Sequence, residues 1–367
     1  MSYLTKVAMN SLSAANTHFT FDLFQQFKTS KKDDNIFCSP LSISSALAMT
    51  YLGAKENTAF EMEMVGLGNV HHQFQKLLTE LKKPTDANEL NIANKLYGEK
   101  NYQFLQVSFI WPKFYLTSVE SVDFKNAPEE SRKKINSWVE KKIKDLLPKN
   151  SLEFTTVLVL VNAIYFKGQW DNKFDKRNTV EKEFWLNKDT SKPVQMMKQV
   201  NVFKFTSLED IKAKILEIPY KGKDLSMVLL LPDDLEDQLT AEKLREWTSS
   251  QNMHDNYVDL YLPRFKVEET YDLKDTLRAL GMVDVFNPQR ANLSGMTGTK
   301  DLLVSKVIHK SFVEVTEEGT EAASSTAVVV NVGSPPTHPF HCDHPFLFFI
   351  RHNKTNSILF LGRVSSP

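Results

Sequence analysis

His338, His341, Cys342 and His344 form a tight cluster of side chains that can bind metal. Tetrahedral zinc takes thiolate and imidazole ligands at short spacing, so that chemistry is weighed first. In an extended strand, however, residues 338, 342 and 344 point to one face and 341 to the other, which splits the set. No metal site is expected. A thiol enzyme built on Cys38 or Cys342 needs a neighbourhood that lowers the thiol pKa, and the flanking residues show none. Gly66-Leu-Gly68 lacks the rest of a phosphate-binding loop. The lysine pairs at 31–32, 82–83 and 141–142 alternate with acids and read as solvated faces. Enzymatic and cofactor chemistry are therefore not expected.

The unusual stretch is 317–334, EEGTEAASSTAVVVNVGS. It holds no Pro, Lys, Arg or aromatic residue, and Pro335-Pro336 follows at once. Read with period two, Thr320, Ala322, Ser324, Thr326, Val328 and Val330 share one face. Glu321, Ala323, Ser325, Ala327 and Val329 share the other. Ala-Ala-Ser-Ser is poor in strand formers, yet small residues let a strand slide between two others. Proline has no N–H to donate, so the two prolines mark where a ladder must stop. The stretch reads as a segment able to be a loop at one time and a strand at another. An ordinary exposed linker has the same composition.

The elements that must carry it follow from composition and periodicity. Of 367 residues, 45 are Lys or Arg and 45 are Asp or Glu, and this balance argues against a nucleic-acid partner. With 41% hydrophobic and 11% aromatic residues, a disordered chain is excluded. At about 150 residues per domain the length suits two domains or one large one. No repeat, linker or compositional break divides the chain, which favours one. Two cysteines make no disulfide framework and suit a reducing compartment. The N-terminus has no apolar run of signal-peptide length, and no apolar string is long enough to span a bilayer. Cytoplasmic location, or release without a signal peptide, is expected, so Asn292-Leu-Ser and Asn353-Lys-Thr are read as chance glycosylation matches.

Helical spacing is expected at 13–29, Ser42–Leu52 (stopped by Gly53), Asn69–Leu81, Pro128–Leu147 and Leu273–Leu280 (stopped by Gly281). Ile135, Trp138, Val139, Ile143 and Leu146 make the apolar face of the fourth. Strands are expected at Asn91–Tyr97, Val157–Phe166, Ile215–Pro219, Ser226–Leu231, Asp259–Leu262, Lys266–Glu268, Val313–Thr316, Phe346–Arg351 and Ser357–Gly362. Val157–Phe166 is almost wholly apolar, as a central strand buried on both faces must be. Without regular βαβ alternation the class is α+β.

Several of these stretches resemble signatures of one family. VEVTEEGTEAASSTA, residues 313–327, resembles the hinge of a serpin reactive loop. NIFCSPLSISSAL, residues 35–47, resembles the start of the serpin helix B. VNAIYFKGQW, residues 161–170, resembles the strand that ends at the breach. LPRF at 262–265 and DHPFLFFIR at 343–351 resemble further signatures. They occur in the family's order from about Asn10 to Pro367. The chain is most similar to the ovalbumin-type (clade B) branch and, within it, to the squamous cell carcinoma antigen group.

The resemblance implies a single domain, 9–367, after an N-terminal extension, 1–8. It implies three β-sheets, eight or nine helices and an exposed reactive loop at about 317–337. The implied function is that of a suicide-substrate protease inhibitor, with a target protease as partner and no enzyme activity of its own. A monomer is expected, with no membrane partner. After cleavage the loop inserts into the main sheet and distorts the acylated protease. Hinge positions map to Glu317, Gly319, Thr320, Ala322, Ala323, Ser324 and Ser325. The scissile bond, sixteen residues after the hinge glutamate, maps to Gly333–Ser334. Gly333 and the absence of Lys and Arg disfavour trypsin-like targets. Val332 suits papain-like cysteine cathepsins. Val330 or Val332 suits elastase-like serine proteases, and a non-inhibitory interaction or storage protein is the other alternative. Ser39, Ser42, Asn162 and His309 map to the shutter beneath the main sheet, and Trp170 to the breach. The chain departs from the family where Glu61–Val70, Trp138–Leu147 and Asp233–Leu239 look cut, and where Pro112 falls in an expected helix.

Overall fold

The computed structural model describes residues 3–68, 70–105, 115, 117, 119–139, 143–231, 237–318 and 336–367, the side chains of 3–11 excepted. Pro112 and residues 319–335 lie outside the described residues, as do residues 140–142 and 232–236 of the segments read as cut.

Five strands build the sheet that matters most here. They are β2 (Asn88–Glu99), β3 (Val119–Val122), β4 (Leu158–Gly168), β10 (Phe265–Asp272) and β11 (Lys306–Val315). Their order is β10-β11-β4-β2-β3. β11 and β4 are parallel neighbours, paired from Lys306↔Val159 to Glu314↔Lys167 with no strand between them. β4 is buried along most of its length, as its unbroken apolar run demands.

The remaining nine strands form a second hydrogen-bonded network, β1-β14-β13-β8-β7-β6-β9-β12, with β5 paired to β6. Its members are β1 (Ile36–Cys38), β5 (Val180–Trp185), β6 (Ser191–Leu208), β7 (Ala213–Pro219), β8 (Leu225–Leu231), β9 (His254–Pro263), β12 (His338–His341), β13 (Phe346–His352) and β14 (Ser357–Val364). The 18-residue β6 pairs with β9 through Met196–Phe205 and with β7 through Lys204–Leu208. It joins the two arms of this network, so the described residues form two hydrogen-bonded sheets where three were expected.

Eight α-helices stand among the described residues: α1 (Tyr3–Lys31), α2 (Pro40–Tyr51), α3 (Glu56–Met62), α4 (His71–Leu81), α5 (Pro128–Val139), α6 (Ala241–Trp247), α7 (Lys274–Ala279) and α8 (Ser294–Thr297). α1 runs unbroken from Tyr3, so residues 3–8 continue the helix that follows them. Ser39 in extended backbone caps α2 and Pro40 opens it, a combination that starts helices well. Gly281, at φ 105°, takes the left-handed position just after α7, where glycine has no steric cost.

Two expectations are corrected. Among the described residues α5 spans Pro128–Val139, and Ile143–Leu147 is not helical. The backbone there folds back instead. Arg132 Nη1 and Asn136 Nδ2 both donate to the Leu147 carbonyl, at 3.0 and 2.9 Å, and Asn136 Oδ1 accepts from Leu147 N–H at 2.8 Å. Ile143 and Leu146 are buried by this return, whereas Trp138 is 37% exposed and leaves the apolar face. Gly53 does not end α2 through a left-handed turn. It is small because Met296 packs on it, and a Cβ there would lie 2.2 Å from Met296 Cγ.

The sheet has two covered faces. Leu158, Leu160, Ile164 and Phe166 of β4 face the main core. Val159, Val161 and Ala163 of β4, with Ile308 of β11, face a smaller core made with α5 and the segment after it. At the end of β4, a Cβ on Gly168 would lie 2.2 Å from the Tyr220 ring. The Gly168→Ala variant is expected to lose about 1–3 kcal/mol to overpacking, read as a lower urea midpoint. An unchanged midpoint contradicts this contact.

Candidate functional site

The β4–β11 seam carries polar side chains at two heights. The lower set grows from one row of the sheet. His309 of β11 sits opposite Asn162 of β4, and Asn162 sits opposite Asn94 of β2. The three side chains point into the main core, where each polar atom needs a partner. Ser39 N–H donates to His309 Nε2 at 3.1 Å. An accepting Nε2 puts the ring proton on Nδ1, which donates to Asn162 Oδ1. Asn162 Nδ2 donates to Ser42 Oγ and to Asn94 Oδ1. Asn94 Nδ2 donates to Ser45 Oγ at 2.8 Å, and Ser45 Oγ donates to the Ser42 carbonyl at 2.8 Å. Ser39 Oγ accepts from Ser42 N–H at 3.3 Å and donates to the Leu359 carbonyl at 2.6 Å.

The chain of bonds thus runs from α2 through β11, β4 and β2 and back to α2. Ser39, Ser42, Asn162 and His309 come together in this network. Asn94 and Ser45 complete the loop of bonds and were not anticipated; an Asn inside a strand with buried neighbours was the signal. The His309–Asn162 bond crosses the seam itself, so parting β4 from β11 must break it.

The upper set holds the end of β11. Trp170 stacks on Tyr220 with ring centroids 4.6 Å apart. Its indole N–H donates to the Thr316 carbonyl at 2.8 Å, and its backbone N–H reaches the Glu318 carbonyl at 3.4 Å. Glu317 turns inward, and its side chain is 1% exposed. Arg264, between β9 and β10, grips it with two prongs, Nη2 to Oε1 at 2.6 Å and Nε to Oε2 at 3.1 Å. Thr179 Oγ1 donates to Oε1 at 2.6 Å. Burial pushes the Glu317 carboxyl up, but the hydrogen bonds from Arg264 and Thr179 outweigh it and hold the group below the ordinary value. Arg264 lies in the LPRF motif; its pairing with a glutamate so distant in sequence was not anticipated.

Gly319, Thr320, Ala322, Ala323, Ser324, Ser325, Val330, Val332, Gly333 and Ser334 lie outside the described residues. Past these residues, the chain from Pro336 leads into β12, which pairs in parallel with β9, Phe340 opposite Leu260. The two ends of this segment are therefore anchored in different sheets. Cys38 and Cys342 are buried free thiols, both pushed up by burial, which suits packing and not nucleophilic work. No cluster of three metal-ligating side chains occurs among the described residues.

Burial drives the His309 pKa down to about 3, so folding favours the neutral ring. The unfolded chain, with an ordinary value near 6.5, binds a proton that the folded chain refuses. Stability is full above pH of about 6.5 and falls as pH drops from there toward 3, by about 1.4 kcal/mol per unit from this group. His309→Gln keeps a donor and an acceptor but does not titrate. Its unfolding midpoint is expected to vary less between pH 6.5 and 5 than that of the unmodified protein; equal slopes contradict the assignment.

A family model described as Serpin (serine protease inhibitor) matches residues 14–367. The chain is 63% identical to Serpin B3 of Homo sapiens, over 98% of this chain and 100% of that protein. It is 50% identical to the leukocyte elastase inhibitor of Equus caballus, over the same shares. The crystal structure of uncleaved ovalbumin superposes with a TM-score of 0.92 at 39% identity, covering 97% of this chain and 100% of that one. The alignment with Serpin B3 runs over 393 positions, more than the 367 residues here, so that relative carries residues this chain lacks.

Proposed function

The chain belongs to the serpin family and to its clade B branch, and from that premise we propose that it traps proteases as a suicide substrate. The supporting observation is the closed parallel pair β4–β11, with the bait segment leaving the chain at the head of that seam. A strand entering there would run antiparallel to both neighbours and bond to each. About a dozen residues, at ~1 kcal/mol per hydrogen bond plus buried side chains, give of order 10 kcal/mol. That equals the stability of an ordinary domain and is enough to deform a protease held by its acyl bond.

The bait bond in this reading is Gly333–Ser334, with Val332 and Val330 filling the apolar subsites. Val332 before a small residue favours papain-like cysteine cathepsins, which select at that preceding position. Elastase-like serine proteases are the second reading, supported by Val330 and Val332 and by the printed name of the leukocyte elastase inhibitor. Its site of action is the cytosol, in keeping with two free thiols, and it performs no catalysis of its own.

Mixing the protein with a cathepsin L-type and an elastase-type protease tests both readings. Lasting loss of protease activity at near-equal stoichiometry is expected, with an SDS-stable complex for a serine target. Cleavage near Gly333 with full protease activity retained would overturn the proposal. Thr320→Arg puts a charge at the first inserting position. It is expected to convert the inhibitor to a substrate, and unchanged inhibition would refute the hinge assignment.

A further inference from the structure

The segment after Glu318 has a root at each end, and the bait bond read above lies at very unequal distances from the two. Glu318 is held by Trp170, and fifteen residue steps from it reach Gly333, a contour of at most about 50 Å. Only four steps lead from Ser334 to His338 at the start of β12, at most about 14 Å. Pro336 lies on this short side, and its ring fixes φ and stiffens it. A bond tethered by one long arm and one short arm is placed by the short one. Its position therefore depends on how firmly β12 is seated.

The ladder alone seats β12 weakly. The strand is four residues long, stands at the edge of its network and runs parallel to β9, the less stable pairing. Pro339 brings no N–H to the ladder. Side chains from two strands that do not pair with β12 make up for this. Phe205 of β6 is buried, and its ring stacks on His338 with centroids 5.0 Å apart. The same ring meets the buried Phe340 edge-on at 6.5 Å. Lys214 of β7 donates from Nζ to the Pro339 carbonyl at 2.9 Å, a charge-assisted bond. Three successive residues of β12 are thus gripped from the side by Phe205 and Lys214.

We propose that Phe205 and Lys214 form a clamp on the short arm, and that this clamp sets how fast a target protease attacks the bait bond. The inference rests on the inhibitory reading above and deepens it. Both are positioning residues, acting through β12 and not on the protease. After the cut, the piece that enters the β4–β11 seam in that reading belongs to the long arm, so the clamp has no part in insertion. The rate of attack and the outcome of attack are then governed by opposite ends of the segment.

The test separates those two quantities. The full chain is mixed with a cathepsin L-type or elastase-type protease. The second-order rate constant for attack on the bait bond is measured beside the stoichiometry, the moles of chain consumed per mole of protease silenced. The double variant Lys214→Met, Phe205→Leu loses the charge and the ring contacts. It is expected to be attacked about tenfold more slowly at unchanged stoichiometry, because attack needs a closely oriented bond. Lys214→Met alone is expected to show part of this loss, and Lys214→Arg to recover most of it. A Gly-Ser-Gly insert between Pro336 and Thr337 lengthens the short arm and is expected to slow attack as well. In that background the double variant is expected to add nothing, since the clamp no longer fixes the bond. A mere loss of stability would not cancel in this way. Equal rates for the unmodified chain and the double variant overturn the clamp while the inhibitory reading stands. A raised stoichiometry at unchanged rate assigns these residues to insertion and also overturns it. If the unmodified chain is cut at Gly333 and the protease stays active, the inhibitory reading falls, and the rate of that cut still decides for or against the clamp.

Discussion

Two parallel strands that bond to each other, when each could bond better to a strand running the opposite way between them, are the constraint on which this molecule is built. Parallel pairing is slightly weaker per residue than antiparallel pairing. On the proposed function, the β4–β11 seam is a local arrangement that the rest of the chain holds shut. On the core side the His309–Asn162 bond holds it. At the top Trp170 and the Arg264–Glu317 pair hold the head of β11. On the outer face Tyr165 and Phe312 stack across it at 4.8 Å, and the return after α5 lies over it. Apart from the Arg264–Glu317 pair, each restraint is short-ranged and polar or aromatic, so it can be exchanged without unfolding the hydrophobic core beneath.

The chemistry of the restraints matches that task. A neutral imidazole between a backbone N–H and an amide can trade one partner for another, whereas an ion pair in the same place would resist separation. Glu317 differs. It is a buried carboxylate with a two-pronged arginine, and such a pair is costly to break because it leaves a charge without a partner. The end of β11 thus has a firm anchor at Glu317, and exchangeable bonds lie farther down the seam.

Much of this was legible in the sequence, for identifiable reasons. Ser39-Pro40 announces a helix start, and the apolar run of β4 announces a strand buried on both faces. What escaped were features created by distance in sequence. Ile143 and Leu146 keep a helical spacing from Ile135 and Val139, but spacing cannot distinguish a helix face from apolar anchors on a chain that doubles back. β6 was missed because it serves different neighbours along its length, so no single face alternates cleanly. Arg264 and Thr179 find Glu317 only once β5, β9 and β10 have converged.

The segment between Glu318 and Pro336 joins two parts of the molecule that are otherwise held by separate sets of bonds. Everything after it ends in β13 and β14, which pair with each other and with β8 and β1, and whose Phe346–Ile350 run is wholly buried. A cut anywhere in the segment therefore severs the covalent chain without freeing either piece. The C-terminal fragment stays woven into the larger network as a permanent non-covalent subunit. The nicked molecule is then a heterodimer of two unequal polypeptides, and only a denaturant reveals the break.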